Sequence, residues 1–256
     1  MRWLTDIVDA WKMNNPDGRG LLERLGMSAD LYARQMMGHH RWVLGIDEVG
    51  YGALAGPLVI GAVLAPADWE HASLRDSKAF SGSDGKAERA RAKVLNELAL
   101  SDNREDPSVL YFLHRTTWDS VDRLGVYAAR LKAFGEVASE ALKLTPPGET
   151  LVVIDGDTRS TRDGRGPQVE HACIPKADAL VPHVSAASIV AKVARDTEMR
   201  GFDRVYPEYN FGKHKGYGSP EHQEAIRAHG LCPIHRKSYK MKFLNDANAS
   251  SPSPRP

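Results

Sequence analysis

The 256-residue chain has only two cysteines, Cys173 and Cys232. Two distant cysteines build neither a disulfide framework nor a zinc site, and a reducing cytoplasmic setting is expected. Long apolar runs are also missing. The stretch from Ala53 to Ala67 is interrupted by Gly56, Pro57 and Gly61, well short of the roughly 20 residues a membrane helix needs. Asp6 and Asp9 stand where a signal peptide would be uninterrupted and apolar, so secretion is not expected. No internal repeat is visible, and the formal net charge is only +1, too small to mark a general polyanion binder. What remains is an ordinary globular composition, long enough for one large domain with extensions, and a monomer with no membrane partner is expected.

The charge is unevenly placed. Between Lys192 and Lys242 there are eleven Lys and Arg against six Asp and Glu, a local +5 that leaves −4 elsewhere. Four acids stand out because they border apolar stretches. Asp47 and Glu48 end Trp42-Val43-Leu44-Gly45-Ile46, Asp155 ends Leu151-Val152-Val153-Ile154, and Asp178 precedes Ala179-Leu180-Val181. A carboxylate driven toward a core is costly unless it is paired or binds a metal. Several at strand ends point to a shared cation site, and hard divalent ions prefer such oxygen ligands. Two ions about 4 Å apart serve phosphodiester hydrolysis by activating water and stabilising the leaving oxygen. A basic C-terminal third beside an acidic cluster fits a phosphate ligand.

The periodicity predicts strands at 41–47, 58–64, 109–114, 150–154 and 168–174, and helices at 85–100, 119–144, 184–199 and 219–229. Ser219 reads as an N-cap, Pro220 as the first helical residue and Gly230 as the stop. Short helices are expected near Trp3–Trp11 and from Ser28 to Met37, a loop at Asp76-Ser77-Lys78, and a disordered Ser/Pro tail. Adjacent strand residues face opposite ways, so Asp47 and Glu48 share one site only if the strand ends or bends between Gly45 and Gly50. The turn Gly50-Tyr51-Gly52 lets backbone amides approach a ligand. The loop His214-Lys215-Gly216-Tyr217-Gly218 offers phosphate-holding cations and an aromatic ring. Lys192 and Arg195 read as the polar face of their helix, toward phosphate or solvent.

These segments resemble, in order, the motifs of type 2 ribonucleases H (ribonuclease HII). The match consists of Gly45-Ile46-Asp47-Glu48-Val49-Gly50-Tyr51-Gly52 with Leu54-Ala55-Gly56-Pro57, then Asp76-Ser77-Lys78, Ile154-Asp155-Gly156, Lys176-Ala177-Asp178 with Val184 to Asp196, and His214 to Gly218. The resemblance implies an α/β ribonuclease H-like fold, a mixed five-stranded sheet flanked by helices with a helical C-terminal extension. Its divisions would be an N-terminal helical extension at 1–40, a catalytic domain at 41–199, a substrate-binding part at 200–246 and a tail at 247–256. It implies cleavage of the RNA strand of RNA–DNA hybrids and at ribonucleotides embedded in duplex DNA, leaving 5′-phosphate and 3′-hydroxyl. Asp47, Glu48, Asp155 and Asp178 would be the catalytic carboxylates holding two Mg²⁺ or Mn²⁺ ions. Gly50, Tyr51, Gly52, Ser185, Lys192, His214, Lys215 and Tyr217 would contact the substrate.

One position departs from the pattern. The family usually has Gly-Arg-Gly after the acidic pair, and here Tyr51 replaces the arginine. A phenol is no substitute for a guanidinium fork on phosphate. The alternative reading is a hybrid-binding protein whose cleavage is impaired by this change. A third is another two-metal nuclease. The sister ribonuclease HIII group also replaces this arginine, usually with lysine, but carries a larger N-terminal domain than forty residues form.

Overall fold

The computed structural model describes residues 40–74, 85–102, 109–156 and 171–244. The expected helices near Trp3–Trp11 and Ser28–Met37, the Asp76-Ser77-Lys78 loop and the Ser/Pro tail lie outside them. Strands β1 (Trp42–Val49), β2 (Leu58–Pro66), β3 (Leu110–Thr116), β4 (Thr150–Asp155) and β5 (His171–Ile174) form one sheet in the order β3-β2-β1-β4-β5. β1 pairs antiparallel with β2 and parallel with β4; β2–β3 is antiparallel and β4–β5 parallel. The helices are α1 (Gly85–Asp102), α2 (Trp118–Leu124), α3 (Val126–Ala141), α4 (Pro182–Val205), α5 (Phe211–His214) and α6 (Pro220–His229). This is the mixed five-stranded α/β arrangement expected, with helices following the sheet at the C-terminal end.

Strand alternation divides the core in two. Leu44, Ile46, Leu58, Ile60, Val152 and Ile154 pack with Leu131, Phe134 and Val137 of α3. On the other face Val43 and Val153 pack with Val184, and Val63 and Ala65 with Ala186, Ala187 and Ile189, all from α4. Here helix and sheet touch almost backbone to backbone. A Cβ on Gly45 would lie 2.4 Å from the carbonyl carbon of His183, and one on Gly61 2.2 Å from the carbonyl oxygen of Ala187. Glycine is required at both places because no side chain fits.

Several boundaries differ from the periodic reading, three of them near the acids or in the helices that cover them. The 119–144 stretch is not one helix. It breaks at Gly125, whose φ of 78° caps α2 and starts α3, and it ends in a 3₁₀ turn at Leu142–Leu144. α4 begins two residues early, at Pro182, and runs to Val205; proline is at home in a first turn, and the last turns pack Phe202 against the cluster that holds Met199. β1 runs past both acids to Val49, with Asp47 opposite Gly61 and Glu48 opposite Ile60, so the expected end or bend between them is absent. α6 matches its signals: Ser219 accepts a hydrogen bond from the His222 amide, and Gly230 follows the last turn.

Candidate active site

Because β1 stays extended through the acidic pair, its two side chains leave opposite faces. Asp47 points to the α4 face, where Ser188 donates a hydrogen bond to it. Its Oδ1 also accepts the Glu48 amide at 2.7 Å. Parallel pairing places Ile46 beside Ile154, and one step further along both strands Asp155 comes beside Asp47. Asp155 accepts the Ala177 amide at 2.7 Å and also the Asp178 amide. Asp178 lies on the 3₁₀ turn Ala177–Ala179 that follows β5. The acids thus collect at the C-terminal ends of parallel strands, the usual place for a site in an α/β sheet. Glu48 turns to the α3 face, where Arg130 meets it: Nε lies 2.9 Å from Oε1, and the terminal NH2 donates to Oε2 at 3.0 Å.

The electrostatics favour a cation. Asp47 is 8% exposed, and its carboxyl is held well above the usual range, first by burial and then by the negative charges of Asp155 and Glu48. Burial raises Asp155 as well, with Asp178 adding to it. Glu48 is raised by burial, against the opposing pull of Arg130. Crowded carboxylates of this kind ionise unwillingly until positive charge arrives. The donor set is all hard oxygen, the chemistry Mg²⁺ and Mn²⁺ take. The gathering is incomplete, however. Among the described residues no group of three or more His, Cys, Asp or Glu side chains is arranged to hold an ion. The opposed directions of Asp47 and Glu48 contribute to that.

The Gly50–Pro57 turn after β1 is locked in place by the C-terminal part. Leu54 and Ala55 amides donate to the Gly216 carbonyl, Gly56 to that of Ile234, and Arg236 to that of Leu54. The Arg236 side chain, fully buried, donates to the Gly56 and Tyr51 carbonyls, and the Tyr239 hydroxyl also donates to the Tyr51 carbonyl. Arg195 is no polar-face residue. It has no exposed surface and donates to the carbonyls of Pro57 at 2.9 Å and Ala55 at 3.1 Å. Its guanidinium lies 5.2 Å from the centroid of the Tyr217 ring. Periodicity missed this because a buried arginine answers to the turn carbonyls it satisfies and not to its own helix face.

The glycine turn and Tyr217, both expected to contact the substrate, meet. The Gly50 amide donates to the Tyr217 hydroxyl at 3.1 Å. Tyr51 and Tyr217 are exposed by 38% and 37%. Gly50 has a φ of +93°, and a Cβ there would lie 2.3 Å from Arg195 Nε. A Cβ on Gly52 would meet nothing within 4 Å. The other expected contacts are differently occupied. His214 bonds the Tyr209 carbonyl and accepts the Gly216 amide. Lys215 is buried, with its ammonium on Glu88 and on the Gly212 carbonyl. Lys192 pairs with Asp196 at 2.7 Å, and Ser185 is buried in the first turn of α4. Ser188 and Arg130 escaped the sequence reading; Ser188 stood three residues beyond Ser185, one helical turn nearer the acids.

The comparisons agree with this architecture. The sequence profile described as "Ribonuclease HII" matches residues 44–245. The ribonuclease HII of Thermus thermophilus is 41% identical over 197 residues, spanning 77% of this chain and 85% of that protein. That of Chlorobium phaeovibrioides is 33% identical over 216 residues, 84% of this chain and 98% of that protein. Among solved structures, the ribonuclease HII of Archaeoglobus fulgidus, seen in a PCNA complex, superposes with a TM-score of 0.58 at 22% identity, covering 83% of this chain and 98% of that one. A ribonuclease HIII solved with Mn²⁺ (Bst-RNase HIII) gives a TM-score of 0.62 at 19% identity, covering 87% and 75%. At those identities the structures speak for the fold, and the profile and sequence relatives carry the assignment: this chain belongs to the ribonuclease HII family of nucleases.

Proposed function

We propose that the protein is a metal-dependent endonuclease that hydrolyses the RNA strand of RNA–DNA hybrids and cuts at ribonucleotides embedded in duplex DNA, leaving 5′-phosphate and 3′-hydroxyl ends. One juxtaposition carries the reading. Asp47 and Asp155 stand side by side at the sheet end, next to a turn where the Gly50 amide meets the Tyr217 hydroxyl. The 2′-hydroxyl is the group by which RNA differs from DNA at a given site. A backbone donor touching a phenol oxygen offers that hydroxyl both a donor and an acceptor.

Asp47, Asp155 and Asp178 would hold Mg²⁺ or Mn²⁺ with the substrate phosphate completing the ligand set, and Glu48, on the opposite face of β1 yet within electrostatic reach of Asp155, would join them around the end of the sheet. When bound, such ions supply an activated water at neutral pH and neutralise charge on the leaving oxygen. The chain's own residues do the positioning. Ser188 and the Glu48 amide orient Asp47, the Ala177 and Asp178 amides orient Asp155, and Arg195 and Arg236 keep the glycine turn rigid beneath Tyr217.

Tyr217→Phe is the sharp test of the sugar contact. It removes the hydroxyl that accepts the Gly50 amide, so the fold should persist with about 0.5–1.5 kcal/mol less stability. Loss of one hydrogen bond to substrate predicts roughly tenfold lower kcat/KM at a lone ribonucleotide, about 1.4 kcal/mol. An unchanged value would remove Tyr217 from the reading of the 2′-hydroxyl. Cleavage mapping on three duplexes tests the function itself. A lone-ribonucleotide duplex and an RNA-tract hybrid should be cut, and an all-DNA duplex left intact.

One observation favours the second reading, a hybrid-binding protein with impaired cleavage: Glu48 is forked onto Arg130. Single-turnover cleavage of a hybrid in Mn²⁺ separates the two.

A further inference from the structure

Arg130 enters the site from α3 and belongs to none of the motifs. Besides its ion pair with Glu48, its NH2 donates to the Asp155 carbonyl at 3.2 Å. The guanidinium lies near two rings, with its central carbon 4.8 Å from the centroid of Phe134 and 5.6 Å from that of Tyr51. Phe134 has no exposed surface, whereas Tyr51 is among the exposed aromatics. The side chain therefore touches both a buried core ring and the half-exposed phenol that this chain has in place of a cation.

We propose that Arg130 supplies that cation from a different element: it is a specificity-determining residue that holds the substrate phosphate at the ribonucleotide junction, with Tyr51 stacked on it, while its fork sets the direction of Glu48. This rests on the hybrid-nuclease reading above. A buried guanidinium is costly unless well paired, and packing against Phe134 alone would be served as well by an apolar residue. The planar fork suits carboxylate and phosphate alike, and it stacks on aromatic faces. Glu48 has about four lone-pair sites, so a fork from Arg130 leaves sites for a metal ion. Arg130 is only 8% exposed, so it is no general anion sink. A phosphate reaches it from the side of the half-exposed Tyr51.

The test measures affinity for an RNA–DNA hybrid in EDTA across a salt series, and cleavage of the lone-ribonucleotide duplex in Mg²⁺. Arg130→Gln should bind about tenfold more weakly and flatten the plot of log affinity against log salt by about 0.9, the contribution of one phosphate contact. Arg130→Lys should keep that slope yet lose junction cleavage about tenfold, since charge survives and the fork does not. Adding Tyr51→Arg to Arg130→Gln should restore both slope and junction cleavage. Tyr51→Arg alone should gain nothing, because it sets a second guanidinium against the first. A wild-type slope in Arg130→Gln, or failure of Tyr51→Arg to rescue it, overturns the proposal. If Arg130→Gln does not fold, unimpaired junction cleavage in Arg130→Lys does the same. A wild-type protein that cuts no ribonucleotide-containing duplex sinks the hybrid-nuclease reading instead, which keeps the two failures distinct.

Discussion

Asp47→Asn is expected to lower cleavage at least about a thousandfold, some 4 kcal/mol of transition-state stabilisation, while making the metal-free protein more stable. The two effects share one cause. Asp47 is buried among carboxylates, and its pKa is raised by that burial and by Asp155 and Glu48. An acid whose folded pKa is raised binds its proton more tightly in the native state than in the unfolded chain. Its contribution to stability is therefore fully present below the unfolded value of about 4 and is lost as pH rises through the folded value. Above the unfolded value the buried carboxyl lowers stability, because the unfolded chain gives up its proton more readily than the folded site does. Asparagine keeps the shape without the charge, which predicts a gain of about 0.5–2 kcal/mol and a Tm higher by roughly 1–8 °C. Below about pH 4 the gain should vanish, because the wild-type carboxyl is then neutral in both states. Thermal melts in EDTA at several pH values check this. Equal stability of the two proteins at neutral pH would show that the acids impose no such penalty, and retained activity would remove Asp47 from the catalytic set.

Gly61→Ala should damage the fold more than any surface change. The added methyl would lie 2.2 Å from the Ala187 carbonyl oxygen and 3.1 Å from the Ala191 Cβ. Neither a helix carbonyl nor a central strand yields cheaply, so α4 must lift from the sheet. Overpacking of a tight core costs about 1–3 kcal/mol and occasionally more; a clash with helix backbone, which cannot rotate away, argues for about 3. Gly61 pairs with Asp47 across the sheet, so the shift also carries Ser188 away from Asp47 and activity should fall with stability. Gly201→Ala on the same helix is the control. A methyl there meets nothing within 4 Å, and alanine should stabilise an exposed helix by up to about 1 kcal/mol. Urea midpoints for the two variants should move in opposite directions. A Gly61→Ala protein with an unchanged midpoint would mean that α4 and the sheet are not in such close contact.

The residues that escaped sequence reading share a physical reason. The strands and the acidic positions were legible because an apolar run ending in a carboxylate is a local pattern. The glycine turn and Tyr217 were legible as candidates, though far apart in the chain. Helical periodicity places Arg195 on the polar face, toward phosphate or solvent, because it records only the helix's own stripe, whereas its burial depends on carbonyls of Ala55 and Pro57. Arg130 was invisible for the same reason: it sits in a predicted helix, and nothing near it in the chain reveals that Glu48 will arrive beside it. The direction of Glu48 turned on whether β1 ended at the acids. Ladder pairing with β2 through Val49 keeps it extended, and β2 is remote from the acidic pair only in the sense that a turn intervenes. The break at Gly125 was the more local oversight, since a single glycine in an apolar stripe is often tolerated within a helix.

The central claim is that the separated acids gather divalent ions around a scissile phosphate. It is tested most directly by calorimetric Mn²⁺ titration of the full chain, with and without an RNA–DNA hybrid whose scissile phosphate resists hydrolysis. Weak binding to the protein alone, two ions per site with the hybrid present, and loss of that binding in Asp47→Asn are expected. Mn²⁺ uptake that is the same with and without hybrid, and the same in Asp47→Asn, would contradict the claim.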